Sequence, residues 1–293
     1  MVNYKGLLTC WGEPVDAYYM YRANYVPAAR EPMVYVCSHT WPEAHPTIVV
    51  FSNCNEVELF NDRGAASLGV RKRGPRGTHF QWDHAALQYD TLYAEARENG
   101  RTVARDLIKL RNLSRAPQQA QHEAAEPDNT APAPGVRYLH RVNCGGPDYT
   151  DTHGNHWQAD RNSTSFAAAY PGLDPRYASQ RQVYDPIAGT RDPDLHRTYR
   201  YGRHQLRYRF EVPNGAYRVE LYFMEPWYGI GGGLDCTGWR LFDVALNRQT
   251  VLRDFDIWKE AGTLHAVKKI IPVRAVSYTH LDVYKRQNSC SSS

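Results

Sequence analysis

The chain has 293 residues, room for two ordinary domains, and 42% of them are hydrophobic, which suffices for globular cores. The formal charge is only +4, with arginine spread along the chain rather than gathered in a stripe, so a nucleic-acid surface is not expected. No apolar run is long enough to cross a membrane as a helix, and the six cysteines offer neither a Cys-x-x-Cys spacing nor a Cys/His zinc set, which leaves free, mostly buried thiols as the expectation.

In chain order, residues 3–9 read as a strand end running into a loop. Pro14 then stands at a first helical position, and 15–25 reads as a helix with Tyr18, Tyr19, Tyr21 and Tyr25 on more than one face. A helix apolar most of the way round needs a larger body to cover it. Residues 32–112 read as an all-β domain with strands at 33–38, 47–52, 56–60, 78–82, 92–97 and 102–110. Alternation in Glu56-Val57-Glu58-Leu59-Phe60 marks one buried face, and Asn61-Asp62-Arg63-Gly64 marks a hairpin turn. The basic run Arg71-Lys72-Arg73 with Arg76 reads as a solvated Gly/Pro turn. Size and strand spacing fit an immunoglobulin-like sandwich.

Residues 113–135 are rich in Pro, Ala and Gln and read as a linker, too poor in apolar side chains to offset the entropy of ordering. A second β-rich domain follows over 136–275, with strands at 137–143, 206–212, 217–223, 241–246 and 250–254. Gly231-Gly232-Gly233 marks a mobile or tightly turned loop. Residues 276–293 look like translated transposon ends from sequencing-library preparation. They are read as an artefact tail, with the second domain truncated before it.

Aromatics make up 12% of the chain, with 21 Tyr and 7 Trp. Each offers a flat apolar face with a hydrogen-bonding tip, matching the two sides of a pyranose ring, although Tyr also suits strands for packing alone.

Three blocks carry family resemblances. Asn3-Tyr4-Lys5-Gly6-Leu7-Leu8-Thr9 and Asp16-Ala17-Tyr18-Tyr19-Met20-Tyr21-Arg22 resemble the end of the (β/α)8 barrel of glycoside hydrolase family 2, the group of β-galactosidases and β-glucuronidases. Val34-Tyr35-Val36-Cys37-Ser38-His39-Thr40-Trp41-Pro42 and Ser52-Asn53-Cys54-Asn55-Glu56-Val57-Glu58-Leu59-Phe60 resemble the sandwich that follows that barrel. A "FVNG" turn is commoner there, where this chain has Phe60-Asn61-Asp62-Arg63-Gly64. Val142-Asn143-Cys144-Gly145-Gly146-Pro147, Trp157-Gln158-Ala159-Asp160, Leu221-Tyr222-Phe223-Met224-Glu225, Phe242-Asp243-Val244-Ala245-Leu246-Asn247 and Asp254-Phe255-Asp256-Ile257 resemble malectin, and lie in the family's order.

The resemblances imply an all-β chain of two sandwich domains, preceded by a barrel remnant over 1–28. They imply a non-catalytic C-terminal region of an enzyme that hydrolyses β-glycosides, with a β-galactosidase-like parent. The implied partners are an oligosaccharide or β-glycoside and a catalytic barrel in cis, with no nucleic acid, membrane, metal or cofactor. The compartment stays open, a periplasmic or secreted parent being one option. A retaining glycosidase needs two carboxylates about 5 Å apart at the barrel's C-terminal face. Glu13 and Asp16, beside a helix start, read instead as capping and dipole partners.

The candidate saccharide-binding residues are Trp227, Tyr228, Tyr199, Tyr201, Trp157 and Asp256. Trp227 and Tyr228 stand beside the glycine run, where either sugar stacking or inter-domain packing would use them. Tyr199-Arg200-Tyr201 falls where malectin places ligand-contacting tyrosines, though it also reads as an exposed strand face. Asp254 and Asp256 suit either sugar hydroxyls or turn stabilisation, the second being favoured. Trp239 reads as packing. Asp148 to His156 offers oxygen and imidazole ligands, but Asx-turn bonding explains the same residues.

Overall fold

The computed structural model describes residues 6–8, 14–37, 39, 44–160, 170–171, 173, 179–202, 205–275 and 280–287. The chain forms two compact units. The first comprises 1–125 with 184–186 and 226–236, and the second 126–183, 187–225 and 237–293.

The first unit opens with α1 (Asp16–Tyr25) and continues through β1 (Val34–Val36), β2 (Thr47–Ser52), β3 (Glu56–Phe60), β4 (Ser67–Lys72), β5 (Phe80–Asp83), β6 (Thr91–Glu98), β7 (Arg101–Lys109) and α2 (Pro117–Ala125). Two sheets, β1-β2-β5 and β4-β3-β6-β7, pack face to face as a sandwich of seven strands, β4 being additional to the six expected. Alternate residues supply its core: Val34, Val36, Ile48 and Val50 from one sheet, and Val57, Leu59, Leu92, Ala94, Ala96 and Ile108 from the other, with Phe80 and Trp82 closing one side. The basic run differs from expectation. Arg71 and Lys72 end an edge strand, β4, whose residues are mostly exposed. Charges there deter edge-to-edge pairing.

Helix α1 is seated by one face. Tyr19 stacks on Tyr35 at 3.8 Å, and the Tyr35 hydroxyl donates to Asp16 at 2.6 Å. Met20, Tyr21 and Tyr25 on the other face are exposed. The sandwich, rather than an absent body, covers the buried side.

The linker reading fails over 117–125, which is helical. Asp62 of the β3–β4 turn accepts from the backbone N–H groups of Gln118 and Gln119 at 2.9 and 3.0 Å, capping the first turn of α2 from a distance. Buried Glu123 bonds Lys109, Arg115 and Gln119. Polar bonds order this segment, and an apolar inventory does not register them.

The second unit contains β8 (Val142–Asn143), β9 (Tyr149–Thr150), β10 (His156–Ala159), β11 (Ser179–Gln182), α3 (Pro193–Arg197), β12 (Thr198–Tyr201), β13 (Gln205–Glu211), β14 (Gly215–Phe223), β15 (Phe242–Leu246), β16 (Gln249–Phe255), α4 (Ile257–Ala261), β17 (Val267–Ala275) and β18 (His280–Gln287). Its sheets are β13-β18-β15-β16, β14-β17, β8-β10-β9 and β11-β12. Phe242, Val244, Phe255, Ile257 and Val267 form one core, with Leu221 and Phe223 packed on it. The expected strand over 137–143 shrinks to Val142–Asn143.

Residues 280–287, read as an artefact tail, form β18 and pair with β13 on one side and β15 on the other. Ladder bonds use only backbone groups, so any segment with tolerable alternation can occupy such a slot. Asp282 adds ion pairs to Arg207 and Arg209 at 3.2 and 3.3 Å. Residues 276–279 and 288–293 lie outside the described residues.

Candidate functional site

The Cys144-Gly145-Gly146 turn explains where β12 lies. Gly145 has φ +74°, and a Cβ there would meet the Tyr199 carbonyl oxygen at 2.6 Å. At Gly146 a Cβ would overlap Asn143 and Thr198. Only glycine lets the two backbones approach so closely.

Asp160, fully buried, locks the pair. One carboxylate oxygen accepts from the Gly145 N–H at 2.8 Å, from Arg200 Nε at 2.9 Å and from the Tyr208 hydroxyl at 2.9 Å. Arg200 also donates to the Asp160 carbonyl at 2.7 Å. Burial is the main reason the Tyr208 hydroxyl stays protonated far above its ordinary range, with Cys144 and Asp160 adding to it. The ion pair turns Arg200 inward, so strand alternation puts Tyr199 and Tyr201 on the opposite face.

Register completes that face. Tyr199 lies opposite Arg181, and Tyr201 opposite Ser179. The tyrosine rings are 6.3 Å apart, and the Arg181 guanidinium lies 6.0 Å from the Tyr201 ring centre. Tyr199 rests on a core of Val183, Ile187 and Ala266. Both tyrosines are half-buried. The result is a fixed aromatic step with a hydroxyl and a guanidinium beside it, suited to an apolar ring edged with hydroxyls. Sequence reasoning missed Arg181 and Ser179, because Ser179-Gln180-Arg181-Gln182 shows no apolar alternation to mark β11.

The other candidates lie elsewhere. Trp157 is buried, packs edge-on to Tyr222 at 5.4 Å, and donates its indole N–H to Asp151 at 2.9 Å. Asp256 is buried and accepts from the backbone N–H groups of Lys259 and Gly238 at 3.0 and 2.6 Å, so it caps α4, the turn-stabilising role. Trp227 and Tyr228 are half-buried, in the segment that belongs to the first unit. The neighbouring glycines serve tight packing: a Cβ at Gly231 would touch Tyr19 and Val34, and one at Gly233 would overlap the Pro32 carbonyl. Trp239, expected to pack, is 44% exposed.

In the 148–156 loop, Asp151 is an Asx hub. It accepts from the backbone N–H groups of His153 and Asn155 and from the Trp157 indole. Burial works to raise its pKa, but these bonds outweigh it and hold the carboxyl below the ordinary range. No group of three or more metal-capable side chains occurs among the described residues. Cys54 and Cys236 are buried, Cys37 is half-buried and Cys144 is exposed, and none of the four is in a disulfide. Cys10 and Cys290 lie outside the described residues.

Residues 138–291, spanning β8 to β18, match the malectin domain family, and residues 45–104 match a domain of unknown function, DUF4982. The chain belongs to the malectin domain family. Malectin-B of Xenopus laevis is 28% identical over 135 residues, covering 45% of this chain and 44% of that protein. A Formosa agariphila protein provisionally named a β-glucuronidase is 42% identical over 78 residues, 25% of this chain and 9% of its own length. The chain thus spans less than half of either relative. Among solved structures, β-glucuronidase 2 of Bacteroides uniformis, bound covalently to cyclophellitol-6-carboxylate aziridine, aligns with 98% of this chain and 32% of its own. The identity is 21% and the TM-score 0.39.

Proposed function

We propose that this chain is a non-catalytic accessory region of a family 2 glycoside hydrolase, and that its malectin-like unit binds an oligosaccharide or β-glycoside. The observation that carries the reading is the malectin match over 138–291. The Tyr199–Tyr201 step supports it, because the step is held by buried bonds rather than by a mobile loop. In this reading 1–28 closes a catalytic barrel in cis, 32–112 is the sandwich behind it, 113–135 joins the sandwich to the malectin-like domain over 136–275, and 276–293 is not native sequence. The parent hydrolyses β-glycosides. The Formosa relative's name favours β-glucuronides over β-galactosides as its substrates.

The test is glycan-array binding by the whole chain beside a Tyr199→Ala, Tyr201→Ala variant. We expect binding that weakens about tenfold in the variant, the size of one lost aromatic contact. Wild-type silence on every glycan would overturn saccharide binding.

A second reading, structural bracing without sugar, is favoured at one place. Trp227 and Tyr228 are half-buried in a segment whose glycines pack tightly against α1 and β1. Under bracing, the whole chain binds no glycan and Trp227→Ala with Tyr228→Ala lowers the melting temperature.

A further inference from the structure

We infer that the face of the β14–β17 ribbon carrying Arg218 and Lys268 binds the oxyanion of an acidic saccharide, a carboxylate or a sulfate, in a cluster completed by Arg141. This rests on the proposed saccharide-binding function and adds to it a ligand class, at a place built from residues other than the tyrosine step.

Strand alternation and register assemble the cluster. Arg218, Glu220 and Tyr222 share one face of β14. The antiparallel register sets Lys268 opposite Tyr222, Ile270 opposite Glu220 and Pro272 opposite Arg218, so these three share that face. Glu220, whose side chain is 7% exposed, is the anchor. One of its oxygens accepts from the Tyr138 hydroxyl at 2.8 Å and from Arg218 at 2.5 Å. The other accepts from the Tyr222 hydroxyl at 3.0 Å and from Lys268 at 2.8 Å. Arg218 also donates to the Tyr138 hydroxyl at 3.0 Å, and the Arg141 guanidinium lies 4.2 Å from the centre of the same ring.

Three cations thus gather about one carboxylate, which leaves an excess of positive charge. Four donors already saturate Glu220. Arg141 has no ion pair among the described residues, and stacking on Tyr138 uses the face of its guanidinium while leaving the in-plane N–H donors open. Arg218 and Lys268 also carry more N–H groups than these bonds take up. Like charges held this close repel one another. A bound oxyanion relieves that repulsion and accepts the open donors. Glu220 and the two phenol rings hold the cations in place, which lowers the ordering cost of binding. Exposed Ile270 and Pro272, on the same face, supply an apolar floor for the C–H groups of a sugar ring. A nucleic acid or a membrane surface needs a broad basic field, whereas this excess is local in a chain of net charge +4.

The experiment uses the whole chain at low salt. Calorimetric titrations compare glucuronate-bearing oligosaccharides with the same chains reduced at the carboxyl, and sulfated oligosaccharides with their desulfated forms. We expect the acidic forms to bind about tenfold more tightly than their neutral counterparts, with the gap closing as salt rises. The series that shows the gap identifies which oxyanion the cluster takes. Arg141→Gln and Arg218→Gln should each weaken acidic binding about tenfold, the size of one charge-assisted hydrogen bond, and leave neutral glycans bound as in wild type. Arg141 touches only the Tyr138 ring, so unaltered melting of Arg141→Gln separates lost contact from lost fold. If acidic and neutral forms bind alike, or both variants hold acidic forms as tightly as wild type does, the inference falls and the saccharide reading stands. If wild type binds no glycan, acidic or neutral, both fall. Binding of anionic phospholipid vesicles that Arg141→Gln abolishes, with acidic glycans unbound, would also overturn it.

Discussion

The Nδ1 of His39 lies 2.5 Å from a carboxylate oxygen of Asp185, although 146 residues separate the two in sequence. The other ring nitrogen, Nε2, is 2.8 Å from Asp106 of β7, and Tyr35 stacks on the ring at 4.6 Å. Asp106 also accepts from the Val36 N–H at 2.7 Å. All three charged side chains are buried. Desolvation works against charging the imidazole, but the two carboxylates outweigh it and raise its pKa well above 6.5. A single imidazolium therefore fastens the 184–186 segment into the first unit.

His39→Gln should cost about 3–5 kcal/mol at pH 6, because it strands two buried carboxylates together. The folded pKa is raised, so this stabilisation is complete below about pH 6.5 and is lost as pH rises through the folded value. Urea titrations of wild type and variant from pH 6 upward should converge. A gap that widens with pH would contradict the charged pairing.

His196 sets the opposite limb. It is buried on α3, its Nε2 has no hydrogen-bond partner among the described residues, and burial lowers its pKa to about 4, partly offset by Asp192. The folded protein keeps it neutral while the unfolded chain protonates near 6.5, so stability falls as pH drops from 6.5 towards 4. The loss reaches about 3 kcal/mol across that window. His196→Leu should flatten this acid limb in denaturation measured between pH 7 and 4.

Arg200→Met leaves Asp160 as a buried charge without its cation. About 3–5 kcal/mol should be lost by denaturant unfolding, and β12 should loosen, exposing its amides to hydrogen exchange. Arg200→Met combined with Asp160→Leu should recover part of the loss, since the pair as a whole need not be net stabilising. A double-variant loss equal to the sum of the two single losses would show that the two residues act independently.

Asp62→Ala should release the start of α2 at a cost of about 1 kcal/mol. The Gln118 and Gln119 amides should then exchange faster, while those of β3 and β6 remain protected. Asp62→Asn should keep one of the two capping bonds, because only one of the two accepting oxygens remains.

Much of the first unit was legible in the sequence. Strands β2 and β3 fall where alternation in Thr47–Ser52 and Glu56–Phe60 puts them. The malectin motifs were legible because their Gly, Asp and aromatic residues stand at fixed offsets. The short polar strands β9 and β11 carry no periodicity, and β4 was hidden under its charges. At the site, the sequence marked Tyr199 and Tyr201 but not their neighbours Ser179 and Arg181, which only register supplies.

By itself the sequence determined the all-β class, the two-domain plan and the aromatic candidates, because each depends on local alternation, turn chemistry or motif order. Only the tertiary structure decided which of those aromatics face solvent. Trp157 and Asp256 are engaged in buried bonds, whereas Trp239 is 44% exposed. Exposure depends on partners distant in sequence. A strand or loop residue carries no record of which buried carboxylate will anchor its neighbours.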